Sequence, residues 1–291
     1  MNRFKATNIA SILGIIGNVF LLAIKAGIGI ISQSQAMIAD AINSAGDILS
    51  SIMTYIGNRI ASKPSDDDHN LGHGKAEYIY SMLISIAMIL MALQVLINAT
   101  TSLINQQVFK FSYWLVIVCI ITIIVKLALY LYTNHLSKRY NNLLMKANCK
   151  DHRNDCLVTT INLISIIIST QGIYWVDGIV GIGIALWILL TGFNIFKESY
   201  DVLMDKSLNL KTKELVYNII KKHKEVKEIS NFHSAPVGYQ YQVVLTIKVD
   251  GNLTTFQSHE IANHLEKQIT REVEEIFLTV VHVDPIKVEK Q

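Results

Sequence analysis

Two short stretches of the chain carry oxygen-bearing side chains at the same spacing. The first octet begins at Asp40 and reads DAINSAGD, and the second octet begins at Asn148 and reads NCKDHRND. Each has Asp or Asn at its first, fourth and eighth positions. Residues at this spacing lie close to one stripe of an α-helix, so each octet would align three oxygen ligands. Both octets lie in or beside long apolar segments, where a carboxylate is costly to bury and is by default a functional candidate.

If the two helices face one another, the octets would form a cage of oxygen ligands for a divalent cation inside a membrane. The primary candidate ligands are Asn43, Asp47, Asp151 and Asp155. Asp40 and Asn148 lie one turn earlier on the same stripes and would support them. The alternative is that these residues cap helix N-termini or pair with Lys25 or Lys126, because intramembrane charges commonly pair. The repeated spacing favours a binding site.

The types of ligand indicate the metal. Carboxylate and amide oxygens favour hard cations such as Mn²⁺, Mg²⁺ or Ca²⁺, whereas imidazole and thiolate favour Zn²⁺ and copper. His152 is rotated by about 100° from Asp151 on a helix, and Cys156 is likewise off the stripe. The octets therefore predict a preference for Mn²⁺ or Fe²⁺ over Zn²⁺.

A second group of candidate ligands lies in the segment 64–77, which reads PSDDDHNLGHGKAE. A mixed Asp and His group can bind a divalent metal. The candidates are Asp66, Asp67, Asp68, His69 and His73. The alternative is a solvated acidic loop, but the glycines on either side of His73 are typical of a shaped turn.

A third group lies near the C-terminus and consists of His233, His259, His264, His282 and Asp284. His282 and Asp284 alternate on a predicted strand, so they share one face. Histidines scattered over a surface are the alternative interpretation.

The composition excludes several classes of protein. The chain is 51% hydrophobic and 17% charged, whereas soluble domains have about 25% charged residues. It is therefore too apolar to be wholly soluble. Its three cysteines form no CxxC pair, so neither a structural zinc site nor a disulfide framework is indicated. The net charge of +3 does not suggest a nucleic-acid partner. No nucleophile–base pair or phosphate loop is apparent, so an enzyme is not expected.

Six apolar stretches are long enough to span a bilayer, which takes about 20 residues each. They lie near 8–31, 35–61, 77–104, 112–134, 145–172 and 176–196. The second and fifth are the least apolar because they contain the octets. In the connections near 32–34, 105–111 and 173–175, the only Lys or Arg is Lys110. The connections at the opposite ends of the spans are rich in Lys and Arg. This bias predicts a multi-pass protein of the cell membrane with both termini in the cytoplasm.

After Lys206 the composition becomes that of a soluble domain. The periodicity of apolar residues predicts helices over 211–223 and 256–274 and strands over 239–249 and 277–283, the last ending before Pro285. The predicted order is α-β-β-α-β. The predicted fold is thus an all-α six-helix transmembrane bundle, residues 1–206, followed by a small cytoplasmic α+β domain, residues 207–291.

Taken together, four features resemble the cation diffusion facilitator family. They are the two octets, the GHGKAE segment at 72–77 and the HVDP segment at 282–285. The resemblance covers nearly the whole chain. It implies a homodimeric six-helix antiporter that exports divalent metal from the cytoplasm in exchange for protons. It also implies a metallochaperone-like cytoplasmic domain that dimerises with bound metal.

The resemblance carries over to particular residues. It implies a transport site of Asn43, Asp47, Asp151 and Asp155, a loop site of Asp66, His69 and His73, and a cytoplasmic site of His233, His259, His282 and Asp284. Lys75 and Asp205 resemble a structural charge pair of the family. Zinc transporters of the family typically have His at the place of Asp151 and Asp or His at that of Asn43, so this chain resembles the manganese branch. Thr246 stands where some members have a bridging histidine.

The expected function is therefore Mn²⁺/H⁺ antiport by alternating access, with carboxylates taking up the protons. Zn²⁺ or Fe²⁺ efflux within the same family, with Co²⁺ as a further cargo, is the alternative. A membrane-anchored metal sensor without transport is a rival from another class, but a sensor has no need for four oxygen ligands buried in a bundle. The expected partners are a second copy of the chain and membrane lipid, with no nucleic acid and no other protein.

Overall fold

A computed structural model describes residues 2–31, 35–105, 113–169 and 175–286. These residues form six long helices followed by the order α-β-β-α-β. The helices are α1 Arg3–Ile31, α2 Gln35–Ala61, α3 Ala76–Asn105, α4 Tyr113–Tyr140, α5 Leu143–Ser169 and α6 Trp175–Leu203. The remaining elements are α7 Leu210–Lys221, β1 Glu228–Val237, β2 Gln240–Asp250, α8 Thr255–Glu272 and β3 Ile276–Ile286. The predicted connections near 32–34, 105–111 and 173–175 fall largely outside the described residues.

The chain divides into two compact units. The first consists of Met1–Lys63 and Ala76–Tyr200, and the second of Pro64–Lys75 and Asp201–Gln291. The segment 64–75, which connects α2 to α3, therefore groups with the C-terminal elements.

In the first unit, α1 and α2 approach each other closely through small and polar residues. A Cβ atom added at Gly14 would lie 2.9 Å from the Ser51 hydroxyl oxygen. Asn18 is fully buried and donates a hydrogen bond from Nδ2 to the Asp47 carbonyl oxygen at 3.1 Å. Near the other end of the pair, Asn58 Nδ2 donates to the Phe4 carbonyl oxygen at 2.8 Å. Such contacts are typical of helices that associate in lipid, where hydrophobicity alone does not hold helices together.

Helices α3 and α6 pack closely against each other at glycine positions of α6. A Cβ atom at Gly181 would lie 2.8 Å from the Ala99 side chain, and one at Gly192 would lie 2.9 Å from Ile89 Cγ1. Any larger side chain at these positions would push the helices apart. The glycines of α6 therefore set how closely it approaches α3.

Four of the six helices are long and apolar enough to cross a membrane. The ranges are Arg3–Ile31, Ala76–Ile104, Tyr113–Tyr140 and Gly178–Leu203. Helices α2 and α5 are also long, but their Asp, Asn, Lys and Arg side chains lower their hydropathy. The prediction of apolar spans is therefore confirmed for four helices, and the prediction that α2 and α5 also span the bilayer remains a prediction.

The second unit contains a three-stranded sheet in the order β1-β2-β3, with β1 antiparallel and β3 parallel to β2. Along β2, Val243, Leu245 and Ile247 are fully buried and form a core with residues of α7 and α8. This confirms the predicted α-β-β-α-β order. The prediction that β3 ends before Pro285 is wrong, because the strand continues to Ile286. Proline is tolerated there because β3 lies at an edge of the sheet.

Candidate metal centre

The structure brings together three of the four predicted transport ligands. Asp47 of α2 and Asp151 and Asp155 of α5 each offer a carboxylate oxygen, and these oxygens all lie within 4.8 Å of one another. Asp47 is 6% exposed and Asp151 is 4% exposed. We call these residues the carboxylate cluster. Three carboxylates so close together repel each other when all are ionised, so this arrangement could hold a cation.

A lysine lies between two of the carboxylates. Lys126 of α4 is 1% exposed, and its Nζ lies 2.6 Å from Asp47 Oδ2 and 2.6 Å from Asp155 Oδ2. The pairing of the octets with Lys126, which the sequence left open as an alternative, is therefore present together with the cluster. If every group is ionised, three carboxylates face one ammonium and two negative charges remain without a counter-charge.

The third carboxylate, that of Asp151, lacks a hydrogen-bond partner for one of its oxygens among the described residues. Asp151 Oδ2 is buried and has no hydrogen-bond partner among the residues that the structure describes. A buried carboxylate oxygen without a partner is costly. This oxygen is therefore available to a ligand that enters the cluster.

A cavity of about 650 Å³ opens from the cluster. Asp47, Asp151 and Asn43 all line it, so the fourth predicted ligand shares this space. The other lining residues belong to the first half and middle of α2, the middle and second half of α3, the second half of α5, and the beginnings of α4 and α6. Because successive helices alternate in direction, these segments lie between the middle of the unit and the end opposite the N-terminus. The cavity therefore leads from the cluster to that end.

The N-terminal end of the same unit is held by a buried ion pair. Arg3 Nη2 of α1 lies 2.8 Å from Glu77 Oε2 of α3, and Glu77 is 2% exposed. Glu77 Oε1 accepts a hydrogen bond from the Leu143 backbone N–H at 2.8 Å, and Arg3 Nε donates to the Tyr140 carbonyl oxygen at 3.2 Å. This Arg3–Glu77 clamp joins the beginnings of α1, α3 and α5 to the end of α4. Sequence reasoning missed it, although an acidic residue at the start of an apolar helix is the signal that was available.

The supporting residues have different surroundings. Asp40 Oδ2 lies 2.9 Å from Lys25 Nζ, and Lys25 is 3% exposed. Asn148 is fully buried, and neither of its amide atoms has a hydrogen-bond partner within the described part of the chain. His152 is also fully buried, and it is not a member of the carboxylate cluster. This agrees with its predicted rotation off the stripe.

The predicted loop site forms a second group. One ligand atom each from Asp66, His69 and His73 lies within 4.8 Å of the others. Asp66 Oδ1 accepts a hydrogen bond from the His69 backbone N–H at 2.7 Å, and this bond lowers the pKa of the Asp66 carboxyl below its usual 3.8. His73 Nδ1 lies 3.1 Å from the Pro64 carbonyl oxygen, so Nδ1 carries the proton. In the neutral ring, Nε2 then directs a lone pair at Asp66 Oδ2, 3.3 Å away, and a cation or a proton between these two acceptors would stabilise the arrangement.

The loop is positioned by the C-terminal elements. A Cβ atom added at Gly74 would lie 2.8 Å from the Gly238 Cα atom in the β1–β2 turn, so both positions require glycine. Lys75 Nζ lies 2.8 Å from Asp205 Oδ1, as the family resemblance implies. Both side chains of this pair are largely exposed, so the pair contributes little stability by itself.

The cytoplasmic candidates are not assembled within one chain. His282 Nε2 lies 3.1 Å from Asp284 Oδ1 on β3, and His282 is paired in register with Thr246 on β2. This face of the sheet is opposite to the core face that α8 covers, whereas His259 is an exposed residue of α8. Among the described residues, His233, His259, His282 and Asp284 do not form one metal-binding group.

Comparison with known proteins identifies the family. The cation efflux transmembrane domain family matches residues 11–204, and the cytoplasmic domain family of cation efflux proteins matches residues 208–286. Together these matches cover nearly the whole chain. The chain belongs to the cation diffusion facilitator family. It is therefore a membrane protein of a family of metal exporters rather than of enzymes.

Several relatives match this exporter along nearly its full length. A transporter of Methanocaldococcus jannaschii is 30% identical and covers 94% of this chain and 96% of its own. The manganese efflux system protein MneP of Bacillus subtilis is 27% identical over 94% of this chain and 95% of its own. The manganese efflux system protein MneS of the same organism is 29% identical over 98% of both chains.

Proposed function

We propose that this exporter moves Mn²⁺ out of the cytoplasm in exchange for protons, through a site made of Asn43, Asp47, Asp151 and Asp155. The observation that carries the proposal is the buried carboxylate cluster, which offers oxygen ligands and no imidazole. Oxygen ligands suit Mn²⁺ better than Zn²⁺. Two relatives of similar length are manganese efflux proteins, which supports the same cargo.

The arrangement of the first unit supports transport by alternating access. The cavity leads from the cluster to one end of the helices, while the Arg3–Glu77 clamp holds the other end together. With both termini in the cytoplasm, as the distribution of Lys and Arg predicts, this conformation faces outward. Rigid-body rocking of helices about a central site would then expose the cluster to the cytoplasm.

In this proposal, the carboxylates bind the protons that are exchanged for Mn²⁺. No histidine belongs to the described cluster, so only Asp47, Asp151 and Asp155 can exchange a divalent cation for protons at the same oxygens. Gln94 and Asn98 line the cavity and offer polar groups along the way to the cluster. Protons that enter from outside would displace Mn²⁺ into the same cavity.

The working unit in this proposal is a homodimer in the cell membrane. The chain contains the cytoplasmic domain of cation efflux proteins, and the four cytoplasmic candidate ligands are not assembled within one copy. A second copy would supply the missing ligands. The loop site of Asp66, His69 and His73 belongs to the second unit, as the cytoplasmic candidates do, and would bind its own metal ion.

Zn²⁺ efflux is the second candidate, and the loop site favours it. Its two imidazoles and one carboxylate are ligands that Zn²⁺ accepts readily. Competition between Zn²⁺ and Mn²⁺ for transport separates the two candidates, because an oxygen-only transport site should prefer Mn²⁺.

Flux into proteoliposomes with an imposed pH gradient tests the proposal. Mn²⁺ and protons should move in opposite directions, and reversing the gradient should reverse the net Mn²⁺ flux. Mn²⁺ flux that ignores the gradient would contradict antiport. Binding of Mn²⁺ without any flux would support the sensor instead.

A further inference from the structure

Lys126 occupies the carboxylate cluster in a way that resembles the cargo. Its Nζ contacts carboxylates of two different helices, at 2.6 Å each, from a third helix. An ammonium is a compact point charge with three donors, so it can stand between several carboxylates as a metal ion does. Lys126 is therefore a cation attached to the protein at the place where a free cation would bind.

The lysine satisfies only part of the cluster. It binds one oxygen of Asp47 and one of Asp155, while Asp151 Oδ2 remains buried without a partner among the described residues. A divalent cation that arrives through the cavity meets Asp151 and Asn43, both of which line it. It can therefore bind these two side chains first and contact the oxygens held by Lys126 afterwards.

A metal ion and Lys126 cannot hold the same oxygens together. A Mn²⁺ ion bound by the three carboxylates would lie among oxygens that are all within 4.8 Å of one another. The ammonium would then be in direct contact with a divalent charge at low dielectric, where repulsion is strong. Conversely, leaving the carboxylates without any cation is costly in a buried site. One cation or the other should be present at each stage.

We propose that Lys126 is a tethered competitor of the transported cation. Its Nζ binds Asp47 and Asp155 when the site holds no metal, and it leaves them when a divalent cation binds. The lysine then lowers the apparent affinity for the cargo, favours its release, and compensates the cluster while the empty exporter returns. The inference rests on the proposed function, because it assigns a role to Lys126 only in a site that carries metal.

Lys25 provides a matched control. It is also a buried lysine of the first unit, and its partner Asp40 lines the same cavity. Asp40 is not a member of the carboxylate cluster. Replacing Lys25 by Met therefore removes a buried ammonium near the site without removing the competitor from it.

The first test measures Mn²⁺ binding to purified full-length wild type, Lys126→Met and Lys25→Met. If Lys126 leaves the oxygens free for one tenth of the time or less, its removal should lower the Kd for Mn²⁺ by about tenfold or more. Lys25→Met keeps Lys126 in the carboxylate cluster and should therefore lower the Kd less than Lys126→Met does. A Kd for Lys126→Met that is equal to that of wild type, or higher, would overturn the proposal.

The second test compares net Mn²⁺ export with the exchange of Mn²⁺ across the membrane at equal concentrations. Exchange needs only the metal-loaded exporter, whereas net export also needs the return of the empty site. Lys126→Met should therefore slow net export more than exchange, and Lys126→Arg, which keeps the charge, should restore part of the net rate. A merely structural role would lower both rates in parallel, and this result would count against the proposal.

A structure of the wild-type exporter with bound Mn²⁺ tests the proposal without depending on whether any variant folds. Lys126 Nζ should then lie beyond about 4 Å from both carboxylates, outside ion-pair distance. Finding Nζ still bound to both carboxylates beside the metal would contradict the inference.

The Asp47→Ala variant separates the two proposals. If wild type moves no Mn²⁺, the proposed function fails. If wild type moves Mn²⁺, Asp47→Ala does not, and Lys126→Met resembles wild type, only the lysine proposal fails.

Discussion

At the scale of single residues, the types of ligand and their immediate partners determine the chemistry. Asp47, Asp151 and Asp155 contribute only oxygens, and Lys126 supplies the counter-charge that holds two of them together. The octet spacing predicted that the two stripes would meet. It did not predict which lysine would lie between them, because that depends on how α4 is rotated against α2 and α5. Helix rotation is set by packing over the whole bundle and is not encoded in one segment.

Metal preference is a prediction at this scale. We expect the double variant Asp151→His with Asn43→Asp to shift preference toward Zn²⁺, because imidazole is a better ligand for Zn²⁺ than for Mn²⁺. The measurement is inhibition of Mn²⁺ flux by Zn²⁺ in proteoliposomes. Asn43→Asp alone keeps the oxygen ligands and is the control. Identical inhibition of wild type and the double variant would show that these positions do not set preference.

The loop site gives a prediction about pH. The lowered pKa of Asp66 means that its carboxylate remains ionised as the pH falls toward 3.8, and the hydrogen bond from the His69 N–H is lost only below that pH. Protonation of Asp66 should therefore not weaken metal binding at the loop until the pH falls below 3.8. Chemical-shift titration of Asp66 in the metal-free protein is the measurement. A midpoint above 3.8 would contradict the geometry.

At the scale of elements, helices and strands with strong periodicity agreed well with the sequence, and irregular ones did not. Strand β2 extends over Gln240–Asp250 and was predicted over 239–249, because polar and apolar residues largely alternate along its sequence. Strand β1, Glu228–Val237, was not located from sequence. It contains Pro236, and an irregularity between Ile229 and Asn231 interrupts its alternation. Tertiary pairing with β2, rather than a local pattern, makes it a strand.

The Arg3–Glu77 clamp leads to a prediction about how the elements hold together. Glu77→Ala should destabilise the protein by about 3–5 kcal/mol, because it leaves Arg3 with a buried charge and the Leu143 N–H without its acceptor. Glu77→Gln keeps an acceptor for Leu143 and should cost less. Thermal unfolding of the purified exporter measures both. As a control, Glu198→Ala removes an exposed partner of Lys146 and should have little effect. Equal stability of wild type and Glu77→Ala would show that the clamp does not hold this end together.

At the scale of the whole molecule, membership of the family and a helical region followed by a small α-β-β-α-β region were both accessible from sequence. The predicted domain boundary between residues 206 and 207 stays a prediction, and the structure groups the segment 64–75 with the C-terminal unit. The octets and the GHGKAE and HVDP segments are short, but they lie at matching places along nearly the full chain. The cytoplasmic site was less accessible. Its residues lie on both sides of a small sheet, and a single chain does not bring them together. Dimerisation is the physical step that would complete it, and one sequence does not specify that geometry.

The central claim is that Mn²⁺ crosses the membrane through the carboxylate cluster. The most direct measurement is the initial rate of Mn²⁺ transport by Asp47→Ala and Asp155→Ala in proteoliposomes, with the dimer confirmed by size. Each variant should lose Mn²⁺ transport. Loss of a residue that only supports a metal ligand weakens metal binding by about 10–100-fold, and loss of the ligand itself should weaken it further. Lys25→Met leaves all three carboxylates in place and should keep Mn²⁺ transport. Either aspartate variant transporting Mn²⁺ at the wild-type rate would contradict the account.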